Sequence, residues 1–134
     1  MKKYYFYFAL LGTVFFNNCS QKGVPVNIYD SKEYHYLTEE DIMAGKSIWE
    51  NSCFRCHRDG TNGAASIENK EYWNHTASKG IDALFKSVWE GKQNKNGYMP
   101  PKGFCNTCSE NDIRKSVFYI LHLAKQDRNI APVN

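Results

Sequence analysis

The chain has 134 residues, of which 17 are lysine or arginine and 14 are aspartate or glutamate, so its formal net charge is +3. This length is typical of one small domain. The nearly balanced charge argues against a nucleic-acid-binding protein, which needs a strongly basic surface. We therefore expect a single small domain and no nucleic-acid partner.

The first 18 residues are typical of a secretory signal. Lys2 and Lys3 precede an apolar and aromatic run over residues 4–16, which is shorter than the roughly 20 apolar residues that a transmembrane helix needs. Without residues 1–18, 15 basic residues face 14 acidic ones. We predict that residues 1–18 are a signal peptide and that the protein is exported to the periplasm.

Cys19 directly follows this segment. A cysteine in this position is similar to the acceptor site of bacterial lipoproteins, where it carries the lipid that anchors the protein. Asn18 stands where such sites usually have a small residue, and ordinary secretion or a retained, uncleaved anchor are the alternatives. Residues 20–36 show no sustained periodicity. We expect a lipid anchor at Cys19 and a tether over residues 19–36, followed by the domain at 37–126 and a tail at 127–134.

Residues 38–41, Thr-Glu-Glu-Asp, predict the start of the first helix, with a hydroxyl cap and acidic side chains in the first turn. The helix is expected to run to about Asn51 with Ile42, Gly45 and Trp49 on its apolar face. Glycine inside a helix costs about 1 kcal/mol relative to alanine, so Gly45 predicts a close approach by another helix. Met43 is expected to fill a gap beside the core.

The next motif is Cys53-Phe54-Arg55-Cys56-His57, a C-x-x-C-H sequence. The spacing is specific because two thiols bond to the two vinyl groups of one porphyrin while the adjacent imidazole reaches the iron. It predicts one covalently bound haem c with His57 as an axial ligand. A zinc site shared with Cys105 and Cys108, despite a long gap of about fifty residues, and a thiol redox or disulfide site are the alternatives.

Three more helices are predicted after a glycine- and asparagine-rich loop over residues 58–69. Residues 70–76 favour a short helix, and the apolar spacing from Ile81 to Glu90, closed by Gly91, predicts a longer one. Residues 93–97 are expected to form a polar turn. Ser109 caps a last helix that ends near Lys125. No segment alternates as a strand does, so the sequence predicts an all-α fold of three to four helices around the haem.

A haem that carries electrons usually needs a second axial ligand, and a methionine thioether is one that raises the potential. Met99 precedes Pro100 and Pro101, which stiffen an extended segment. A rigid backbone suits this ligand because less entropy is lost when the sulfur binds iron. We predict Met99 as the second ligand, the alternative being a hydrophobic residue that pins a loop, with His75 as the reserve candidate.

Over residues 37–126 the chain resembles class I c-type cytochromes, specifically the cytochrome c-five group. The motifs that carry the resemblance are Cys53-x-x-Cys56-His57, Met99-Pro100-Pro101-Lys102-Gly103 and Cys105-x-x-Cys108-Ser109. The resemblance implies a cytochrome c-like fold, His57 and Met99 as axial ligands, and a disulfide between Cys105 and Cys108. It also implies that Trp73 lies near the haem and that Ile67 contacts it. In the family the first and last helices cross where a small residue meets an aromatic one, and Gly45 and Tyr119 match these places.

Two positions depart from the family pattern. Ala65 stands where related sequences commonly have a proline, near the backbone carbonyl that accepts a hydrogen bond from the axial histidine. Phe104 stands where the pattern tends to have a second glycine. The departures predict a looser loop after the haem motif and an added aromatic side chain at the disulfide turn.

The resemblance implies a monomeric electron carrier rather than an enzyme, with an oxidase, reductase or peroxidase as its redox partner. Five lysines that are close in sequence could form a docking rim for an acidic partner, although an ordinary solvated face is the preferred interpretation: Lys79, Lys86, Lys92, Lys95 and Lys102. The alternative functions are a haem enzyme or sensor in which Met99 dissociates, and a zinc or disulfide module without haem.

Overall fold

The computed structural model describes residues 24–126; the predicted signal peptide, Cys19 and the C-terminal tail lie outside this range. The helices are α1 (Lys32–His35), α2 (Glu39–Ile48), α3 (Phe54–His57), α4 (Lys70–Ala77), α5 (Ile81–Glu90) and α6 (Glu110–Lys125), and the strands are β1 (Lys92–Asn94) and β2 (Gly97–Met99). The predicted all-α fold is confirmed, with one small hairpin added. Within residues 24–126, no helix is long and apolar enough to cross a membrane.

Helix α2 begins as the sequence predicts. The Thr38 hydroxyl accepts a hydrogen bond from the Asp41 backbone N–H at 3.1 Å, and the Asp41 carboxylate accepts one from the Thr38 backbone N–H at 3.2 Å. This reciprocal cap satisfies N–H groups that a helix start leaves without partners. The helical backbone then continues through a π-helical turn, Trp49–Cys53, into α3. The sequence from Thr38 therefore delivers the C-x-x-C-H motif on a continuous helical path.

The crossing of α2 and α6 forms the centre of the fold. A Cβ atom added to Gly45 would lie 2.8 Å from the Tyr119 Cβ, closer than real Cβ contacts allow. The predicted close approach at Gly45, and its pairing with Tyr119, are confirmed. Beside the crossing, Lys115 on α6 pairs with Asp41 on α2 at 3.0 Å. Trp49 is buried, as its place on the apolar face predicts.

Residues 28–34 pack into the domain, with Tyr29 and Tyr34 against α6, so the tether prediction is wrong for these residues. Ile28 is fully buried, and the Tyr29 hydroxyl donates a hydrogen bond to the Leu121 carbonyl at 3.2 Å. The Tyr29 and Tyr34 rings meet edge to face with centroids 5.4 Å apart. The anchoring side chains are too few and too irregularly spaced to produce a periodic pattern, which explains why the sequence did not reveal them.

Two more local expectations need correction. The predicted polar turn is present only at residues 95–96, and the residues on either side pair as the antiparallel hairpin β1–β2, in which Lys92 faces Met99 and Asn94 faces Gly97. Strands of three residues are too short to show the period-2 alternation by which strands are recognised. Met43 is 54% exposed, so it does not fill a gap in the core.

Candidate haem-binding site

The two motif cysteines lie on the last helical turns before the loop over residues 58–69. Cys53 ends the π-helical turn and Cys56 lies in α3, one helical turn further on. Both are free thiols of intermediate exposure. Burial raises the pKa of Cys53 to about 11, and the neighbouring Cys56 adds to the rise. At neutral pH Cys53 is therefore a protonated thiol.

The His57 imidazole has a fixed orientation. Its Nδ1 lies 2.9 Å from the Ala65 carbonyl oxygen, and because a carbonyl can only accept, Nδ1 carries the proton and donates. Nε2 then keeps the lone pair that a metal ligand needs. Burial lowers the pKa of His57, while the hydrogen bond to Ala65 opposes this effect. A neutral imidazole follows, and the bond forms although Ala65 replaces the family's proline.

The loop after the motif is held by further bonds to the same region. The Ile67 N–H donates to the His57 carbonyl at 2.6 Å, and the Trp73 indole N–H donates to the Ser66 carbonyl at 2.8 Å. The Trp73 ring centroid lies 5.6 Å from that of His57. Trp73 lines a cavity beside His57. Ile67 is 4% exposed and lines neither of the two cavities beside His57 and Met99. Its contact with the haem therefore stays a prediction.

Met99 ends β2 on the other side of the site. Two adjoining cavities, of about 290 Å³ and about 140 Å³, share five lining residues: Cys53, His57, Tyr72, Lys92 and Met99. We call these two cavities together the crevice. The smaller cavity has mainly apolar walls, including Leu84, Val88, Val117 and Ile120. The structure therefore brings the predicted thiols and both predicted ligands to one crevice.

A covalently bound haem fits this set of residues. The free thiols of Cys53 and Cys56 line the larger cavity, where they could bond to the porphyrin. The His57 imidazole, with its Nε2 free, and the Met99 thioether line the same crevice and could bind the iron. The apolar side chains of the smaller cavity suit the porphyrin faces. Of the four histidines, only His57 lines the crevice, and the reserve candidate His75 is exposed. Nothing in the positions of His35 and His122 connects them with the site.

The alternative zinc site does not fit. Cys105 and Cys108 are joined by a disulfide with their Cα atoms 5.4 Å apart, so their sulfurs are not available as zinc ligands. Within the described range, no group of three or more histidine, cysteine, aspartate or glutamate side chains could hold a metal ion. The disulfide therefore rules out the alternative in which both cysteine pairs share a zinc ion.

Three aromatic side chains lie around the larger cavity, and the sequence pointed only to Phe104 among them, as an added aromatic side chain at the disulfide turn. Tyr72, Tyr98 and Phe104 all line it and are 39%, 57% and 76% exposed. We call these three side chains the aromatic rim. Tyr98 and Tyr72 have a weak signal in the sequence, because Tyr98 only flanks the methionine and proline segment and Tyr72 stands next to Trp73.

The comparisons with known proteins agree with this geometry. A protein-family model described as cytochrome C oxidase, cbb3-type, subunit III matches residues 40–120. The chain belongs to this family of cytochrome c domains. The predicted resemblance to c-type cytochromes and the cytochrome c-like fold are confirmed. Membership implies covalently bound haem c.

Individual relatives carry names of the same kind. Cytochrome c-555 from Chlorobaculum thiosulfatiphilum is 28% identical over 85 residues, which are 63% of this chain and 99% of that protein. Cytochrome c5 from Ectopseudomonas mendocina is 31% identical over 80 residues, 58% of this chain and 80% of that protein. These relatives are cytochromes c, which supports an electron-carrier role rather than an enzymatic one.

A solved structure is similar as well. One chain in the crystal structure of an electron transfer complex of nitrite reductase with cytochrome c superimposes with a TM-score of 0.55 and 30% identity. The match covers 61% of this chain and 95% of that chain. It supports the cytochrome c-like fold.

Proposed function

We propose that the protein is a monohaem electron carrier, with one haem attached to Cys53 and Cys56 and its iron bound by His57 and Met99. The observation that carries the proposal is that His57 and Met99 line the same crevice as the two motif thiols. When bound, the haem supplies a one-electron iron couple.

The side chains of the crevice favour a carrier over an enzyme. His57 presents Nε2 because Nδ1 is engaged by the Ala65 carbonyl, and Met99 is stiffened by the two prolines that follow it. Together they would take both axial positions and leave none for a substrate. A peroxidase or gas sensor would require Met99 to dissociate.

The crevice lining also favours an acidic redox partner. Its charged members are Arg55, Lys79 and Lys92, and it includes no aspartate or glutamate. The aromatic rim adds exposed apolar area at the same place. Small interfaces with complementary charge are typical of transient electron transfer, and the cytochrome c in the similar structure lies in a complex with nitrite reductase. An oxidase, reductase or peroxidase with an acidic face is the proposed partner of the monomeric carrier.

Two of the five lysines predicted as a docking rim are engaged within the chain. The Lys102 ammonium lies 3.9 Å from the centre of the Trp89 ring and donates to the Cys108 carbonyl at 3.4 Å. Lys86 pairs with Glu90 at 4.0 Å on the surface of α5. Of the other three, Lys79 and Lys92 line the crevice and Lys95 does not, so we assign the docking charge mainly to Lys79 and Lys92.

Carbon monoxide tests the choice between carrier and haem enzyme. The reduced holoprotein should not bind the gas rapidly at neutral pH because Met99 holds the sixth position. Met99→Ala, in which that position is open, should bind it rapidly and serves as the positive control. Rapid binding by the unchanged protein would support the enzyme or sensor function instead.

We further propose that the mature protein is exported and anchored through a lipid on Cys19. The support is the signal-like segment before this cysteine. Cys19→Ser should move the haem-stained protein from the membrane to the soluble fraction, with Cys53 and Cys56 still holding haem. Equal membrane association of both forms would refute the lipid anchor.

A further inference from the structure

The two sides of the crevice touch at a pair of glycines. A Cβ on Gly97 would overlap the Asn62 carbonyl oxygen and lie 3.4 Å from the Gly63 Cα. A Cβ on Gly63 would overlap the Asn96 carbonyl oxygen and lie 3.0 Å from the Gly97 nitrogen. The two backbones therefore lie in direct contact, with room for a side chain at neither position. We call this contact the glycine clasp.

The clasp joins the two segments that position the proposed ligands. Gly63 lies two residues before Ala65, whose carbonyl orients His57. Gly97 lies two residues before Met99 in β2. Both glycines line the larger cavity together with His57 and Met99. The contact thus ties the histidine side of the crevice to the methionine side.

The hairpin that carries Met99 needs such support. Its strands have three residues each, and an isolated two-stranded hairpin is marginally stable at best. Its tip is ordered locally, because the Asn94 side-chain oxygen accepts hydrogen bonds from the N–H groups of Asn96 at 2.8 Å and Gly97 at 3.1 Å. These local bonds shape the turn but do not fix its place relative to α3. The clasp supplies that fixed point.

We propose that the glycine clasp is a positioning device that keeps the Met99 sulfur at the haem iron; this inference rests on the proposed function. The iron–thioether bond is weak, so the fraction of molecules with the sulfur in place decides how much is ligated. A side chain at the clasp would push the hairpin outward and lower this fraction. His57 would stay bound, since Ala65 and Ile67 hold it independently.

The test is Gly97→Ala in the haem-loaded protein. Gly97 does not have a positive φ, so alanine brings a steric clash without backbone strain. The long-wavelength band of iron–thioether bonding should weaken or vanish at neutral pH while haem stays attached. Carbon monoxide should bind the reduced variant faster, by about tenfold or more if ligated molecules fall to a tenth of the population.

Two further sets of variants separate positioning from general damage. Gly45→Ala also adds a methyl group at a close backbone contact, but Gly45 lies at the α2–α6 crossing and lines neither cavity. It should lower the unfolding temperature and leave the band unchanged. If Gly97→Ala does not fold, Asn94→Ala provides the milder change, because it removes the hydrogen bond that holds the Gly97 N–H and so loosens Gly97 in the clasp without a steric clash. Asn94→Asp keeps the accepting oxygen and should retain the band.

Each outcome decides the proposal. If the unchanged protein lacks the band, both the assignment of Met99 as a ligand and the proposed role of the clasp are refuted. If the unchanged protein has the band, and Gly97→Ala keeps both the band and the same rate of carbon monoxide binding, the proposed role of the clasp is refuted while the assignment of Met99 stands. Equal loss of the band in Gly45→Ala would also refute it. Loss confined to the Gly97 and Asn94→Ala variants supports it.

Discussion

Phe104 combines two unfavourable features in one residue. Its φ of 69° lies in the left-handed region, and its side chain is 76% exposed. A non-glycine residue there costs roughly 1–2 kcal/mol. The family resemblance identified this position as one that tends to carry glycine, but only the structure shows that its backbone has the conformation that glycine favours. A strained, exposed aromatic residue at the crevice fits a role in partner contact better than one in stability.

Phe104→Gly should therefore stabilise the protein. Relief of the left-handed backbone outweighs the entropy that glycine gains in the unfolded chain, so the free energy of unfolding should rise by about 0.5–1 kcal/mol. Thermal unfolding of the holoprotein measures the change. Phe104→Ala removes the ring but keeps the strain and should show no such gain. A lower unfolding temperature for Phe104→Gly would show that the ring packs more than its exposure indicates.

At the scale of elements, helices were predictable and the pieces between them were not. Thr38 and Ser109 predict helix starts because the hydrogen bonds of a helix cap are local in sequence. Gly45 indicated the helix crossing because glycine is unfavourable inside a helix unless another helix comes close. The motifs around His57 and Met99 carried the site because haem chemistry dictates their residue types. The hairpin β1–β2 depends on contacts with the loop at Gly63. The packing of Tyr29 and Tyr34 depends on α6, and neither interaction leaves a periodic signal.

Gly45→Ala should destabilise the fold even though alanine is the better helix former. The added methyl group would meet the Tyr119 Cβ at 2.8 Å, and overpacking of this kind costs typically 1–3 kcal/mol, against about 1 kcal/mol gained from helix propensity. Denaturant unfolding of the holoprotein should show a lower midpoint. A rise in the midpoint would mean that the two helices separate at little cost.

The α2–α6 junction should also make stability depend on acid pH. The Thr38 hydroxyl, and then Lys115, hold the pKa of Asp41 at about 2, below its ordinary 3.8. Since the folded state has the lower pKa, the carboxylate stabilises it above pH 3.8, and this contribution is lost as the pH falls towards 2. As the pH falls across this range, the unfolding temperature of the unchanged protein should drop by more than that of Asp41→Asn. If the unfolding temperatures of the two proteins changed in parallel with pH, the Asp41 carboxylate would make no such contribution to stability.

At the scale of the whole molecule, the haem is expected to complete the core. Ile28, Ile113 and Leu121 are fully buried, but the crevice with its apolar walls passes between α3, α5, α6 and the hairpin. A small domain with such a crevice buries too little apolar surface without its cofactor to be stable.

A haem-free form made by Cys53→Ser together with Cys56→Ser should therefore be poorly folded. Circular dichroism should show less helix and a broad thermal transition compared with the holoprotein. The single variant Cys53→Ser, which keeps one point of attachment, is the intermediate control. A cooperative transition in the haem-free form at the temperature of the holoprotein would show that the polypeptide alone forms a complete core.

The optical spectrum of the protein, matured by a host that attaches haem, is the decisive measurement for the proposed haem site. We expect haem that remains attached after denaturation, and in the folded oxidised protein a long-wavelength band from iron bound to a thioether. Met99→Ala should lose the band and keep the attached haem. Survival of the band in Met99→Ala, or haem that is released on denaturation, would contradict the site formed by Cys53, Cys56, His57 and Met99.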